Sequence, residues 1–375
     1  MRKTAAVLVT LLLVVQLHAL PAEAGVAGDS LDVKIGQMLM IGFRGLSVND
    51  APDLVADIRE RRIGGVVLFD YDLLLRSGRR NISDPEQLRG LTSGLMELSE
   101  IPLLVAIDQE GGRVSCLKSS KGFPSSVSAA RLGSLDSPDS TVAAARRTAI
   151  TLKSLHIRMN FAPVVDLNLN PDNPVIGKAE RSFSADPAVV SRHALLTAKT
   201  FAEEGVVATL KHFPGHGSSS GDTHKGFTDI TGSWTERELE PYRSIIGSGY
   251  DDVVMTAHVF NAKLDNRYPA TLSRKTLEGV LRKELGFRGV IVSDDMQMKA
   301  ITDHYGLEEA IRLAVDAGVD ILLFGNNISY DPGIAGKASA ILHRLVEEGA
   351  ILKQRIDRSY RRIMALKERY LYLCK

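Results

Sequence analysis

Several short apolar runs in this 375-residue chain end in acidic, basic or imidazole side chains. Groups fixed at the ends of buried strands have little freedom, so they can act together on a bound molecule. Any one of them could instead satisfy backbone groups at a strand end. Five such ends together predict a catalytic pocket, and the polar residues concerned are Asp108, Glu110, Arg113, Asp166, Asn168, Lys211, His212, His216, His258, Asp294 and Asp295.

Asp294 is the candidate nucleophile. It follows the apolar run Gly289–Val292, which would hold its carboxylate rigidly at the mouth of the fold. Retaining glycosidases need such a carboxylate beneath the anomeric carbon, where it forms a covalent glycosyl-enzyme intermediate.

The segment Asp222-Thr223-His224 is the candidate proton-transfer pair. Residues two apart in an extended segment project to the same side. Asp222 can therefore orient the His224 ring and favour its protonated form, while the other ring nitrogen faces the substrate. The preceding stretch Gly215–Gly221 is expected to be flexible enough to swing His224 in and out of the site.

Eight apolar runs are spaced through the chain to position these groups. Each is apolar along its whole length, which is typical of parallel strands covered on both faces. The predicted strands lie within Gly36–Phe43, Gly64–Phe69, Leu103–Ile107, Met159–Val165, Val206–Leu210, Asp252–Ala257, Gly289–Val292 and Val319–Phe324. Helical patterns separate them at Pro85–Leu98, Ser191–Glu204, Thr235–Ile246, Ser273–Leu285 and Leu307–Ala317, and a terminal helix is expected near Leu352–Tyr370. Thr235 and Glu238 have the spacing of a capping box.

This alternation predicts an α/β fold, specifically a single (β/α)8 TIM-type barrel with its active site at the carboxyl ends of the strands. A doubly wound sheet is the alternative. No linker or shift in composition divides residues 25–375, so one domain is expected there.

The N-terminus has the layout of a secretory signal peptide. Arg2 and Lys3 precede an apolar run over Ala5–Leu20, and Ala22-Glu23-Ala24 supplies a cleavage pattern. We therefore predict a signal peptide over residues 1–24, cleavage near Ala24, export to the periplasm or the extracellular space, and no stable membrane insertion afterwards.

Charge and cysteine content limit the classes of partner. The chain has 46 Lys and Arg against 45 Asp and Glu. This balance gives no electrostatic reason to expect nucleic acid as a partner. Cys116 and Cys374 are the only cysteines, and they could be bonded or free. A monomer is expected.

Four motifs resemble the bacterial β-N-acetylhexosaminidases of glycoside hydrolase family 3. They occur in the expected order and cover nearly the whole mature chain. The motifs are Asp108-Gln-Glu-Gly-Gly-Arg-Val114, Arg181-Ser-Phe183, Lys211-His-Phe-Pro-Gly-His-Gly217 followed by Asp222-Thr-His224, and Ser293-Asp-Asp-Met296.

The resemblance implies a role for each of these positions. Asp294 would be the nucleophile, since the first acid after the serine plays that part in the family, and Asp295 would support it. His224 would be the acid/base, assisted by Asp222. The terminal sugar would be hydrogen-bonded by Asp108, Arg181, Lys211 and His212, with Arg113 a further candidate contact.

One position departs from the family pattern. Family members often carry a second arginine three residues after the arginine of the Gly-Gly-Arg motif, and here that position is Cys116, with Lys118 nearby. The departure puts in doubt a substrate contact there and the preference beyond the terminal sugar.

The implied function is release of terminal β-linked N-acetylglucosamine from a small oligosaccharide or muropeptide, without a metal or organic cofactor. A phosphorylase is the main alternative, because a histidine acid/base does not repel phosphate as a carboxylate would. A metal-dependent hydrolase is a second alternative, although no HxH or HExxH spacing supports it. A catalytically inactive binding barrel would be expected to lack the nucleophile or the histidine, and both are present.

Overall fold

The computed structural model describes residues Asp29–Tyr372. The predicted signal peptide and Cys374 lie outside the described residues. Eight parallel strands carry the fold, and all eight lie within or overlap the predicted runs. They are β1 (Leu39–Gly42), β2 (Gly65–Leu68), β3 (Leu104–Ile107), β4 (Met159–Asn160), β5 (Thr209–Phe213), β6 (Val253–Thr256), β7 (Val290–Val292) and β8 (Leu322–Phe324).

The strands are buried along their entire length, as their unbroken apolar sequences predicted. Several of the eight runs included more than a strand, and β4 covers only the first two residues of Met159–Val165. The run Gly36–Phe43 begins inside a helix that ends at Gln37, and β8 occupies only the second half of Val319–Phe324. Short apolar segments do not by themselves distinguish a buried helix turn from a strand.

Hydrogen-bonded ladders divide the strands into two sheets. One has the order β8-β1-β2-β3-β4 and the other the order β7-β6-β5, with parallel pairing throughout. Single bridges join the two sheets, at Met159 with Val207, Val164 with Lys211 and Val292 with Ile321. The α/β class is therefore confirmed, and the predicted closed barrel is not.

Helices follow or precede the strands along the chain. They are α1 (Leu31–Gln37), α2 (Pro52–Arg61), α3 (Pro85–Leu98), α4 (Ala129–Leu135), α5 (Pro138–Ser154), α6 (Pro187–Glu203), α7 (Glu240–Gly247), α8 (Lys299–Thr302), α9 (Leu307–Ala317), α10 (Ile334–Glu347) and α11 (Lys353–Lys367), with a π-helical segment over Lys275–Glu284. Helices α3 and α9 match the predicted bounds at both ends. Within Asp29–Tyr372 no helix is both long and apolar enough to cross a membrane.

A buried ion cluster closes the amino ends of β7 and β8. Asp320, which is fully buried, accepts hydrogen bonds from Arg282 at 2.7 Å and from Arg362 at 3.1 Å. Ser359 donates at 2.7 Å, and the Ile291 N–H at 3.0 Å. Burial alone would raise the pKa of Asp320, but the surrounding guanidinium groups lower it. This cluster fastens α11 and the Lys275–Glu284 segment to the strands.

Candidate active site

Two carboxylates and two cations meet at the carboxyl ends of β3 and β5. The Lys211 ammonium lies 2.6 Å from both Asp108 Oδ1 and Glu110 Oε1. Arg181 donates two hydrogen bonds to Glu110, at 2.8 and 2.7 Å. The Lys211 and Glu110 side chains are almost completely buried, whereas the Asp108 side chain is 28% exposed. The cluster is therefore closed at Glu110 and open at Asp108.

Charge pairing keeps this cluster ionised despite its burial. Burial alone would raise the pKa of Glu110, but the Arg181 and Lys211 cations lower it to about 2. Burial likewise opposes the charge of Lys211, and Asp108 and Glu110 together raise its pKa above the ordinary value. The group therefore presents fixed charges and hydrogen-bonding atoms at neutral pH.

His212 lies between Asp166 and Arg181. Its Nδ1 lies 2.7 Å from Asp166 Oδ2, and its Nε2 lies 3.1 Å from the Arg181 guanidinium. Burial and the neighbouring cations lower the pKa of His212 well below its usual value, so the ring is neutral. Because a guanidinium only donates, Nε2 accepts and Nδ1 carries the proton. Both ring nitrogens thus have protein partners.

Asp294 follows β7 directly. Among the described residues, one hydrogen bond to its carboxylate is present, from the Asp295 N–H at 2.8 Å, which leaves the other oxygen without such a contact. Burial would raise the pKa of Asp294, but the nearby His258, His212 and His224 lower it overall. The carboxylate is therefore charged, partly exposed and near three imidazoles.

Asp295 has a different environment. Its Oδ1 accepts the backbone N–H groups of Gln297 at 3.0 Å and Gly325 at 2.9 Å. Burial raises its pKa to about 6. The His258 Nε2 lies 2.9 Å from the Asp295 carbonyl oxygen, so the imidazole donates there and fixes the turn that carries Asp294. These contacts fit the supporting part predicted for Asp295.

The predicted proton-transfer pair is formed. Asp222 Oδ1 lies 2.8 Å from His224 Nδ1 and accepts the His224 backbone N–H at 3.0 Å. The His224 side chain is 54% exposed, whereas that of Asp222 is 16% exposed. The carboxylate thus orients the ring, and no protein partner of Nε2 is present among the described residues.

The segment that leads to His224 is anchored at its start. The His216 N–H donates to Asp166 at 2.8 Å, and the Gly217 N–H donates to Glu238 at 3.0 Å. Asn173 donates to the His216 carbonyl oxygen at 2.7 Å. A Cβ on Gly217 would lie 1.7 Å from the Leu167 carbonyl oxygen, so glycine is required there for close packing. The expected flexibility of Gly215–Gly221 is therefore wrong for its first half.

The chain is similar to known proteins over most of its length. Residues 30–366 match the model described as the glycosyl hydrolase family 3 N terminal domain. The chain belongs to glycosyl hydrolase family 3. The enzyme class expected from the motifs, a glycoside hydrolase, is confirmed at this level.

Named relatives of this family 3 chain include β-hexosaminidases. Beta-hexosaminidase LpqI of Mycobacterium tuberculosis is 33% identical over 89% of this chain and 82% of its own length. Beta-hexosaminidase A of Pseudoalteromonas piscicida is 33% identical over 82% of this chain, which spans only 55% of that protein.

Solved structures give the same result. A family 3 β-N-acetylglucosaminidase from Paenibacillus sp. str. FPU-7 has a TM-score of 0.84 and 37% identity, and the match covers 92% of this chain and 64% of that one. A β-N-acetylhexosaminidase from Beutenbergia cavernae has a TM-score of 0.80 and 28% identity, covering 91% and 99%.

Two predicted positions of this family 3 chain lie at the edge of the site. Arg113 is two-thirds exposed in its side chain and pairs weakly with Glu180 at 3.4 Å. Its contact with substrate stays a prediction. Cys116 is buried, and burial raises the pKa of its thiol. Lys118 pairs with Asp70 at 2.5 Å.

Sequence reasoning missed the parts played by Glu110 and Glu238. Glu110 was quoted within a motif, but its contact with both Lys211 and Arg181 depends on segments about 70 and 100 residues away. The capping box predicted for Thr235 and Glu238 is wrong. Thr235 makes no capping hydrogen bond, because Glu238 is turned to Gly217 and Ser218 instead. Trp234 is buried and donates to the Pro214 carbonyl oxygen, as expected for a packing residue.

Proposed function

We propose that the protein is a retaining exo-glycosidase that releases terminal β-linked N-acetylglucosamine. The observation that carries the proposal is the charged Asp294 carboxylate, with one uncommitted oxygen, on the face that also holds the Asp222–His224 pair. The names of the relatives support the sugar, since they are β-hexosaminidases and β-N-acetylglucosaminidases.

In the first step the Asp294 oxygen attacks the anomeric carbon as the bond to the leaving oxygen breaks. His224 gives its Nε2 proton to that oxygen, so the aglycone leaves as a neutral alcohol. Asp222 accepts from Nδ1 and stabilises the imidazolium that must be present before transfer. Asp108, at the open side of the ion cluster, would accept a hydrogen bond from a sugar hydroxyl group, and Lys211 would hold that carboxylate in position.

In the second step His224, now neutral, takes a proton from water. The resulting hydroxide attacks the anomeric carbon from the face that the aglycone left, and the bond to Asp294 breaks. Two inversions give a product with the β configuration.

The natural substrate is proposed at the level of a class. Peptidoglycan fragments with N-acetylglucosamine β-1,4-linked to a muramic acid unit fit the family, and export would place the enzyme where wall material is released. Export itself rests on the sequence of residues 1–24.

The decisive experiment compares 4-nitrophenyl N-acetyl-β-glucosaminide with the matching glucoside, using wild type and Asp294→Ala. We expect strong selectivity for the acetamido sugar, loss of turnover in the variant, and a β-configured first product by NMR. An α-configured first product, or near-normal turnover by Asp294→Ala, would contradict the proposal.

A phosphorylase is the second candidate, because the acid/base is a histidine rather than a carboxylate. Lys225, whose ammonium lies 3.4 Å from Asp222 and is largely exposed, adds a positive charge beside it. The same assay with phosphate distinguishes the two. Stimulation with sugar 1-phosphate as product would assign a phosphorylase, whereas indifference to phosphate supports hydrolysis.

A further inference from the structure

The segment that follows β2 carries an apolar tip in water. Leu73, Leu74 and Leu75 are 51, 50 and 64% exposed, and Tyr71 is 39% exposed. Of the ten large apolar side chains that are exposed among the described residues, four therefore fall within five consecutive positions. A single exposed leucine needs no explanation, but a contiguous group marks an interaction site.

This tip is a fixed turn. Asp72 and Ser77 pair through both backbone groups, with N···O distances of 2.8 and 3.2 Å. The Asp72 carboxylate also accepts the Leu75 N–H at 2.8 Å. Asn327 accepts the Leu73 N–H at 3.0 Å and donates to the Tyr71 carbonyl oxygen at 3.1 Å.

A buried ion pair at the base of the turn explains why the leucines stay outside. Asp72 contacts Arg80 at 2.7 Å, and the Arg80 side chain is completely buried. Arg44 approaches the same carboxylate at 2.7 Å. The space beneath the turn is thus filled by charged groups that are already paired, so the leucines cannot fold inward without displacing them.

The exposed charges next to the leucines are basic. Arg76 and Arg79 are exposed within the turn, and the Lys118 side chain is 48% exposed beside it. The acids of this region, Asp70 and Asp72, are buried and paired. One exposed carboxylate, Asp84, lies near Arg79 and reduces the local positive charge without reversing it.

We propose that the apolar tip, Tyr71–Arg79, docks the protein reversibly on the interfacial layer of a membrane that contains anionic phospholipid. Leucines at the tip would enter the boundary between headgroups and acyl chains, and Tyr71 would lie at the headgroup level. Arg76 and Arg79 would meet the anionic headgroups. Because the turn follows the carboxyl end of β2, the docked protein holds its active-site face towards the membrane.

The test is sedimentation of the full chain with phosphatidylcholine vesicles, with and without phosphatidylglycerol. We expect binding to the anionic vesicles that weakens with salt. The triple substitution Leu73→Ser, Leu74→Ser and Leu75→Ser is expected to reduce the partition coefficient by about tenfold or more. The pair Arg76→Gln and Arg79→Gln should abolish the preference for phosphatidylglycerol.

A matched control replaces exposed apolar residues elsewhere, Ile150→Ser and Leu352→Ser, which are 51 and 66% exposed. This control should bind vesicles as wild type does. All variants should hydrolyse a soluble aryl glycoside with unchanged KM and melt at the wild-type temperature.

Four results would overturn the proposal. The first is absence of binding by wild type to anionic vesicles. The second is equal binding by the leucine variant. The third is loss of a concentration-dependent dimer in that variant, without any vesicle binding, which would assign the tip to self-association. A raised KM on the soluble glycoside alone would assign the leucines to the substrate site.

Discussion

Two buried ion clusters differ in construction, one at the carboxyl ends of β3 and β5 and the other at the amino ends of β7 and β8. At the carboxyl ends, Lys211 and Arg181 balance Asp108 and Glu110, and the Asp108 side chain remains 28% exposed. At the amino ends, a single carboxylate, Asp320, is fully buried and shared by three arginines. The first cluster keeps an atom available to a ligand, whereas the second uses every acceptor internally. Burial of charge alone therefore does not distinguish a ligand-binding cluster from a structural one. An ion-paired side chain that remains partly exposed does.

The largest effect on catalytic activity is expected from Asp294→Asn, at the carboxyl ends of the strands. The amide cannot form the glycosyl ester, so kcat should fall by roughly 10⁴-fold or more, as for loss of a nucleophile elsewhere. The free energy of unfolding should change little, because among the described residues the Asp295 N–H alone donates a hydrogen bond to the side chain. Steady-state kinetics and thermal unfolding check both parts. A small loss in kcat would remove Asp294 from the reactive position.

The amino-end cluster should respond in the opposite way. Asp320→Asn leaves buried guanidinium groups without a counter-ion, which costs roughly 3–5 kcal/mol of unfolding free energy. The kcat per folded molecule should be unchanged. Denaturant unfolding and active-site titration measure the two quantities. The control Glu284→Gln breaks an exposed pair with Arg243 and should cost about 1 kcal/mol or less. A lower kcat for fully folded Asp320→Asn would contradict the conclusion that this cluster contributes to stability alone.

Asp222→Asn tests the proton-transfer pair with a smaller effect. We expect kcat to fall by about 10²-fold, because the ring loses its orienting carboxylate. The loss should be larger on a glycoside with a poor leaving group than on a 4-nitrophenyl glycoside, because only the poor leaving group needs a proton. Asp229→Asn, an exposed acid in the same loop, serves as the control. An equal loss on both substrates would assign Asp222 a purely structural part.

The smallest effect concerns Lys367, at the amino-end side of the fold. It is fully buried against Gln37 at 2.6 Å, and burial lowers its pKa to about 7 from an ordinary value near 10.5. A lowered folded-state pKa gives stability that is lost as the pH falls from about 10.5 to about 7. As the pH falls through that range, the unfolding free energy of Lys367→Met should therefore rise relative to that of wild type, by roughly 1 kcal/mol or more. A pH-independent difference in unfolding free energy would contradict this assignment.

The strands could be predicted from the sequence because a strand that is buried on both faces requires an unbroken apolar run, such as Leu103–Ile107. The polar residues that follow them could be predicted for the same reason. The continuity of the ladders could not, since it depends on the register between distant strands. Glu238 was misassigned because its spacing from Thr235 satisfies a local rule, whereas its actual partners, Gly217 and Ser218, are about 20 residues away.

The central claim is a covalent intermediate on Asp294, and mass spectrometry of His224→Ala tests it most directly. With 4-nitrophenyl N-acetyl-β-glucosaminide the leaving group needs no acid, so the first step should proceed, while the second lacks its base. We predict that the intact protein gains the mass of one N-acetylglucosaminyl residue and that peptide mapping places it on Asp294. An adduct on Asp295, or no adduct together with an α-configured product, would contradict the account.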